Sequence, residues 1–117
     1  MDQNELKTRT KPFALRTLKL TAALPGTDGA RVIRNQPARS GPSVAANCRT
    51  SCRACSRAEF IAEIGTVIEE ADESAFWFER IAEGEYLPRL KVDALLKEAD
   101  ELTAIMTASR KTAEDRK

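Results

Sequence analysis

One set of apolar residues between residues 56 and 83 recurs at intervals of three, four or seven positions, and this spacing constrains the fold more than any other feature of the chain. The set comprises Phe60, Ile64, Val67, Ala71, Phe78 and Ile81. Because an α-helix has 3.6 residues per turn, this spacing places all six on one helical face. Ser56, followed by Glu59, also matches the capping box that begins many helices. The pattern therefore predicts a long amphipathic helix that ends before the turn at residues 84–88.

Three more segments have helical periodicity. The first covers about residues 5–23, where Leu6, Phe13 and Leu20 recur every seven positions, and it ends at the turn sequence LPGTDG. The second begins near Asp28, a candidate N-cap, and the last runs from residue 88 or 93 to residue 113. No segment alternates apolar and polar residues as a strand does. We expect an all-α, up-down-up-down four-helix bundle, one domain over residues 1–117 with an ordered core at about 5–113.

The sequence NQPARSGPS at residues 35–43 interrupts the second segment. Pro37 has no amide hydrogen and would collide with the carbonyl of Ile33 in a straight helix, and Gly41 and Pro42 add a second break. We expect a kinked second helix or a short non-helical turn, with Ser43 capping the resumed helix. Two separate helices that meet at an angle are the alternative.

Composition excludes several classes of protein. The 117 residues include no histidine, so Ser-His-Asp and Cys-His catalytic sites cannot form within this chain type. No apolar run approaches the roughly 18–20 residues of a membrane span, and the polar N-terminus lacks the apolar segment of a signal peptide. We therefore expect a cytoplasmic protein that is not an enzyme and has no cofactor, metal, membrane or small-molecule substrate.

All three cysteines lie in the sequence CRTSCRAC, which spans Cys48, Cys52 and Cys55. The C-x3-C-x2-C spacing is that of a cluster-binding motif, and it is also the spacing of one helical face. On a helix, the first and last sulfur atoms would stand roughly 10 Å apart along the axis, too far for one corner of a cluster. We expect three small packed side chains in a reducing compartment, since free cysteine behaves as a buried hydrophobe.

Charge is divided unevenly along the chain. Residues 1–57 carry 11 Lys and Arg against 3 Asp and Glu, whereas residues 58–117 carry 8 against 15. Arg49, Arg53 and Arg57 are spaced for one helical face, and with Arg31, Arg34 and Arg39 they form the densest cationic group. They either contact nucleic-acid phosphates or pair with carboxylates of the third or last helix, within a subunit or between subunits.

The repeated EADE tetrapeptide and the aromatic residues between 76 and 86 each suggest a role. The tetrapeptide EADE occurs at residues 70–73 and 98–101, and its i, i+3 carboxylates predict a solvated, salt-bridged face opposite the basic helices. Phe76, Trp77, Phe78 and Tyr86 are expected to be mostly in the core. An exposed member, Trp77 above all because it lies off the main apolar stripe, would mark a subunit interface.

The sequences LKTRTKPFALRTLKLTAALP (residues 6–25), EEADES (residues 69–74) and LLKEADELTAI (residues 95–105) resemble the small bacterial proteins encoded in 23S ribosomal RNA intervening sequences. The resemblance covers about residues 5–113. It implies a left-handed four-helix bundle, a cyclic homopentamer in the cytoplasm and no recognised enzymatic activity. The resemblance also implies a relation to the accessory proteins of diversity-generating retroelements, and those accessory proteins look like basic pentamers that bind nucleic acid and a reverse transcriptase.

The chain departs from this family pattern in its second segment. Pro37 stands where leucine is usual, Cys48 where tyrosine is frequent, and Cys55 where arginine is usual. We therefore predict a non-catalytic oligomeric scaffold, a homopentamer by the resemblance. The alternative is an accessory protein that binds RNA or DNA through the basic stripe of the second segment.

Overall fold

Four helices account for most of residues 3–116, which are the residues that the computed structural model describes. They are α1 (Gln3–Ala22), α2 (Arg31–Ser51), α3 (Arg57–Glu83) and α4 (Arg89–Asp115). Residues 3–116 contain no strand. The turns that join the helices are short, so consecutive helices run antiparallel.

Each helix packs extensively against the next one in the chain, and α1 and α4 close the bundle with the least extensive contact. The result is a rod with extents of 51 × 20 × 19 Å. The predicted four-helix bundle is confirmed. Its left-handed twist stays a prediction.

The core lies along the inward stripe of each helix. The side chains of Phe13 in α1 and Phe78 in α3 are fully buried and meet edge to face across the diagonal, with ring centroids 6.1 Å apart. The predicted stripe of α3 is buried from Ile64 to Ile81, while Phe60 is partly buried against it. Burial of each large apolar side chain stabilises the fold by roughly 1.5–3 kcal/mol.

The predicted start of α3 is confirmed. Ser56 is the N-cap, and its hydroxyl oxygen accepts a hydrogen bond from the Glu59 amide at 3.1 Å. This bond satisfies one of the amide groups that the first turn of a helix leaves without a partner.

The expected non-helical turn within α2 and the alternative of two separate helices are both wrong. The helix is continuous through Pro37 and Pro42, and Ser43 caps nothing, because its hydroxyl donates to the Arg39 carbonyl within the helix. Tertiary contacts hold this region: Ser40 hydrogen-bonds to Ser74 of α3 at 2.8 Å, and Gly41 packs against α1. These contacts offset the hydrogen bonds that the prolines remove. A kink within the continuous helix stays a prediction.

The expected start of α2 at Asp28 is also wrong. The helix begins at Arg31, after a turn in which the Ala30 amide donates to the Thr27 hydroxyl at 3.2 Å. The Asp28 carbonyl, not its side chain, accepts from the Arg31 amide. The local turn therefore replaces a side-chain cap.

Candidate functional site

The three arginines Arg49, Arg53 and Arg57 do not share a helical face. Helix α2 ends at Ser51, so Arg49 lies in its last turn, Arg53 in the turn at residues 52–56, and Arg57 opens α3. The Ser51 hydroxyl donates to the Cys48 carbonyl at 2.7 Å, and the Arg53 and Ala54 amides bond three residues back. These tight bonds end the helix. The predicted stripe is therefore wrong, and the three guanidinium groups instead surround one turn.

Four of the six predicted arginines carry free positive charge. Arg31, Arg49, Arg53 and Arg57 are exposed, and none makes an ion pair or side-chain hydrogen bond within the described part of the chain. Their availability is what either an anionic partner or a second subunit requires.

The other two arginines are held within the molecule. Arg34 donates to the Pro25 carbonyl at 3.1 Å and ties the first turn to α2. Arg39 pairs with Glu70 at 3.2 Å and with Glu73 of the same EADE sequence, and these hydrogen bonds raise the pKa of Arg39. For Arg39, the predicted pairing with the third helix is confirmed.

The second EADE sequence holds an arginine that sequence reasoning missed. Arg9 of α1 donates to both oxygen atoms of Glu98 at 2.8 and 2.7 Å and to Glu101 at 2.7 Å. The hydrogen bonds from Arg9 lower the pKa of Glu98. Each EADE sequence therefore holds one arginine between its two glutamates, an arrangement here called an arginine clamp. The repeat could have suggested two such clamps, but the identity of the arginine depends on which residues of α1 and α4 lie opposite each other.

The cysteines differ from one another. Cys48 is fully buried in α2, Cys52 is half-buried at the helix end, and Cys55 is exposed in the turn. Burial raises the pKa of the Cys48 thiol to about 11, with a contribution from nearby Cys52. The packed environment that was predicted for all three is correct for Cys48 and wrong for Cys55.

The aromatic residues divide between core and surface. Phe78 is buried, whereas Phe76 and Tyr86 are 46% and 39% exposed, so the expectation of a core position is wrong for these two. Trp77 is half-buried; its ring meets Phe76 edge to face, and its Nε1 atom is buried without an acceptor among residues 3–116. The Arg80 guanidinium lies 4.5 Å from the centre of the Phe76 ring. The interface role of Trp77 stays a prediction.

The outer side of the α1–α2 pair is a basic surface with an apolar centre, here called the basic face. On α1 it comprises Lys7, Lys11, Leu15, Leu18 and Ala22, and on α2 it comprises Arg31, Ala38, Pro42, Ala45 and Arg49. Both sets follow helical spacing, and the clamps of Arg9 and Arg39 on the opposite flanks fix which way each helix is turned. Leu15 and Leu18 are 54% and 43% exposed. Among residues 3–116, no carboxylate belongs to this face.

The opposite side of the bundle, on the α3–α4 pair, is predominantly acidic and is called the acidic face. Its carboxylates include Glu69, Asp72, Glu83, Asp93 and Asp100. Its cations include Lys97 and Lys111, together with Arg80, which pairs with Glu83, and Arg89, which pairs with Asp93. Phe76 is its exposed apolar residue, and a shallow groove along α4 adds Leu96 and Ala104. The bundle therefore has two opposite faces of unlike charge, each with apolar surface.

Comparison with known proteins places the chain in a family. The sequence model of the 23S rRNA-intervening sequence protein family matches residues 2–108. The chain belongs to this family. A crystal structure of a protein of unknown function from the S23 ribosomal protein family of Bacteroides thetaiotaomicron is similar, with 30% identity and a TM-score of 0.86. The alignment covers 95% of this chain and 99% of the other. A search of curated proteins finds no match.

The 23S rRNA-intervening sequence protein family carries no assigned catalytic activity in these comparisons, and the structural relative is likewise of unknown function. Within the part of this family member that the structure describes, no helix is both long and apolar enough to cross a bilayer. The resemblance drawn from the sequence is confirmed at the level of the family.

Proposed function

We propose that this protein is a non-catalytic homo-oligomeric scaffold, a ring of about five subunits, in which the basic face of one subunit binds the acidic face of the next. The observation that carries the proposal is the opposite charge of these two faces. A contact between two different faces of one chain repeats from subunit to subunit and closes into a ring when the rotation permits.

Exposed apolar residues on both faces supply the hydrophobic contact that a stable interface needs in addition to charge. Leu15 and Leu18 are exposed at the centre of the basic face, and Phe76 is exposed on the acidic face. Apolar contact at the centre, surrounded by unlike charges, is the ordinary organisation of a protein interface. Charge then fixes the orientation of the partners, since contact between two basic faces would be repulsive.

Charge reversal tests this pairing. The basic face becomes acidic when all four of its cations are replaced, by Lys7→Glu, Lys11→Glu, Arg31→Glu and Arg49→Glu. The acidic face becomes basic with Glu69→Lys, Asp72→Lys, Asp93→Lys and Asp100→Lys. Each fourfold variant has two faces of like charge and should lose the oligomer in native mass spectrometry and light scattering at physiological salt. The chain that carries both sets of changes regains complementary faces and should recover it. An oligomer that survives both fourfold variants, or a wild-type monomer at micromolar concentration, contradicts the proposal.

A second function, binding of RNA or DNA, is favoured by the four exposed arginines that have no partner within residues 3–116. Three of them, Arg49, Arg53 and Arg57, surround one turn and could neutralise adjacent phosphates. Anisotropy of a labelled single-stranded RNA of 20 nucleotides, measured across a salt series, tests this candidate.

The triple change of these residues to Glu should abolish the binding, and the salt slope of the wild type should correspond to roughly three contacts. Arg89→Glu, which changes an exposed arginine paired to Asp93 at the other end of the bundle, is the matched control. Binding that the triple change leaves intact would remove this candidate.

A further inference from the structure

The base of the bundle, where α1 begins and α4 ends, contains a cleft that the proposed scaffold role does not use. Helices α3 and α4 have 27 residues each, whereas α1 and α2 have 20 and 21. Because Arg9 is fixed to Glu98 and Glu101, α4 continues past the start of α1 by about 8–11 residues, or roughly 12–17 Å. The overhang leaves an open cleft of about 1160 Å³.

The floor of the cleft is apolar and its rim is cationic. Phe60 of α3 and Ile105 and Ala108 of α4 provide the apolar surface, and Arg57 and Arg116 stand at the rim. Neither arginine has a hydrogen-bond or ion-pair partner among residues 3–116. Such a combination of apolar wall and a few polar anchors is typical of small-molecule sites.

Charge selects the class of ligand. The residues that line the cleft include two arginines and no carboxylate, although the whole chain has nearly equal numbers of cations and anions. The groove along α4 on the acidic face has the opposite charge balance. Its lining includes three carboxylates and one lysine: Asp93, Asp100, Glu101 and Lys97. The basal cleft thus favours anions, whereas the groove on the acidic face does not.

We propose that the basal cleft binds a small amphipathic anion, with its head group on Arg57 or Arg116 and its apolar chain against Phe60, Ile105 and Ala108. A guanidinium group binds an anionic oxygen through charge-assisted hydrogen bonds. The apolar chain gains by leaving water along the cleft floor. The proposed role is binding alone, without a chemical change in the ligand.

Cys52 lines the cleft and reports on its occupancy. Its Sγ atom lies 3.7 Å from the Gln3 carbonyl at the cleft edge, whereas Cys55, three residues on, is exposed outside the lining. Saturating decanoate should slow alkylation of Cys52 by iodoacetamide about fivefold or more and leave Cys55 almost unchanged, as followed by peptide mass spectrometry. Decanol and decyltrimethylammonium at the same concentration should protect Cys52 much less.

Two pairs of variants separate the cleft from general binding. Arg57→Ala with Arg116→Ala should abolish protection by decanoate, whereas Arg31→Ala, which removes a free arginine at the far end, should not. Ala108→Trp fills the cleft and should also abolish protection, whereas Ala104→Trp, one turn away on the acidic face, should not.

Three results would overturn the proposal. One is equal protection by decanol, which would remove the role of charge. Another is protection that survives Arg57→Ala with Arg116→Ala. The third is a Cys52 that reacts slowly without decanoate and rapidly after dilution to monomer, because a second subunit would then cover the cleft. The first two results do not depend on whether the basic and acidic faces pair.

Discussion

Gly41 of α2 lies directly against Thr17 of α1. A Cβ atom at Gly41 would stand 2.5 Å from Thr17 Cγ2 and 2.8 Å from Thr17 Cβ. Both residues are buried, and the Thr17 hydroxyl is already bonded to the Phe13 carbonyl at 2.8 Å. The glycine that predicted a break in α2 is therefore the residue that lets two helices approach closely.

We predict that Gly41→Ala destabilises the protein by about 1–3 kcal/mol, since the methyl group has no space and the helices must separate. Equilibrium unfolding in urea at fixed protein concentration measures the change. Gly65→Ala is the control within α3: its Cβ would meet nothing closer than Arg110 Nη1 at 3.9 Å. The free energy of unfolding of Gly65→Ala should rise by about 0.5–1 kcal/mol, because alanine has a higher helix propensity than glycine. Equal effects of the two changes would contradict this account.

The Arg9 clamp gives a stability difference that depends on pH. Arg9 lowers the pKa of Glu98 in the folded state, so the ionised pair stabilises the fold above the unfolded pKa of about 4.3. This stability is lost as pH falls through the folded pKa. Arg9→Ala should cost about 0.5–1 kcal/mol at pH 7, and the difference from wild type should shrink below about pH 4.

Urea unfolding of both proteins across this pH range is the measurement. Arg89→Ala serves as its control, because the pair of Arg89 with Asp93 is exposed and long at 3.8 Å. Its effect should stay within about 0.5 kcal/mol at every pH. A difference between Arg9→Ala and wild type that persists at pH 3 would show that the clamp acts through packing and not through charge.

Glu63 should oppose folding when it is ionised. Its Oε2 atom is buried and has no hydrogen-bond partner in the described chain, and burial and nearby Glu59 raise the pKa of this carboxyl. The folded state therefore prefers the protonated form, and ionisation costs stability once pH exceeds the folded pKa. Glu63→Gln should raise the thermal midpoint at pH 7 and lose this advantage below about pH 4, where both states are protonated. Glu69→Gln, an exposed change on the same helix, should do neither.

The thiols should react in the order Cys55, Cys52, Cys48. Thiolate is the reactive form, and burial holds the pKa of Cys48 near 11, so little of it is ionised at pH 8. Mass spectrometry of iodoacetamide-treated protein should show Cys48 at least about tenfold slower than Cys55, and the three rates should converge in urea. Rapid alkylation of Cys48 in the folded protein would mean that α2 opens locally.

The sequence was sufficient for the parts of this fold that depend on local chemistry. The apolar spacing of residues 60–81 predicted α3, and Ser56 predicted its start. Both signals are local, because helical spacing and the capping hydrogen bond involve residues only a few positions apart. The continuity of α2 was not predictable from Pro37 and Gly41 alone. Contacts with α1 and α3 decide it, and such contacts exist only after the helices have assembled.

The candidate site shows the same division. The EADE sequences predicted salt-bridged helix surfaces, and Arg39 does pair with Glu70. That Arg9 meets Glu98 depends on the relative height of α1 and α4, which no local pattern encodes. The end of α2 at Ser51, which removed the arginine stripe, rests on a short turn whose residues also suit a continuing helix.

The limited contact between α1 and α4 has a consequence for how the bundle assembles. Extensive packing joins only helices that follow one another in the chain, so most native contacts form across short separations in sequence. Such low contact order is associated with rapid folding. The seam between the first and last helices requires the longest loop closure, and the Arg9 clamp lies on that seam. Helix α1 is therefore the one that can leave the other three most easily, and its transient release would open the bundle along the Arg9 side.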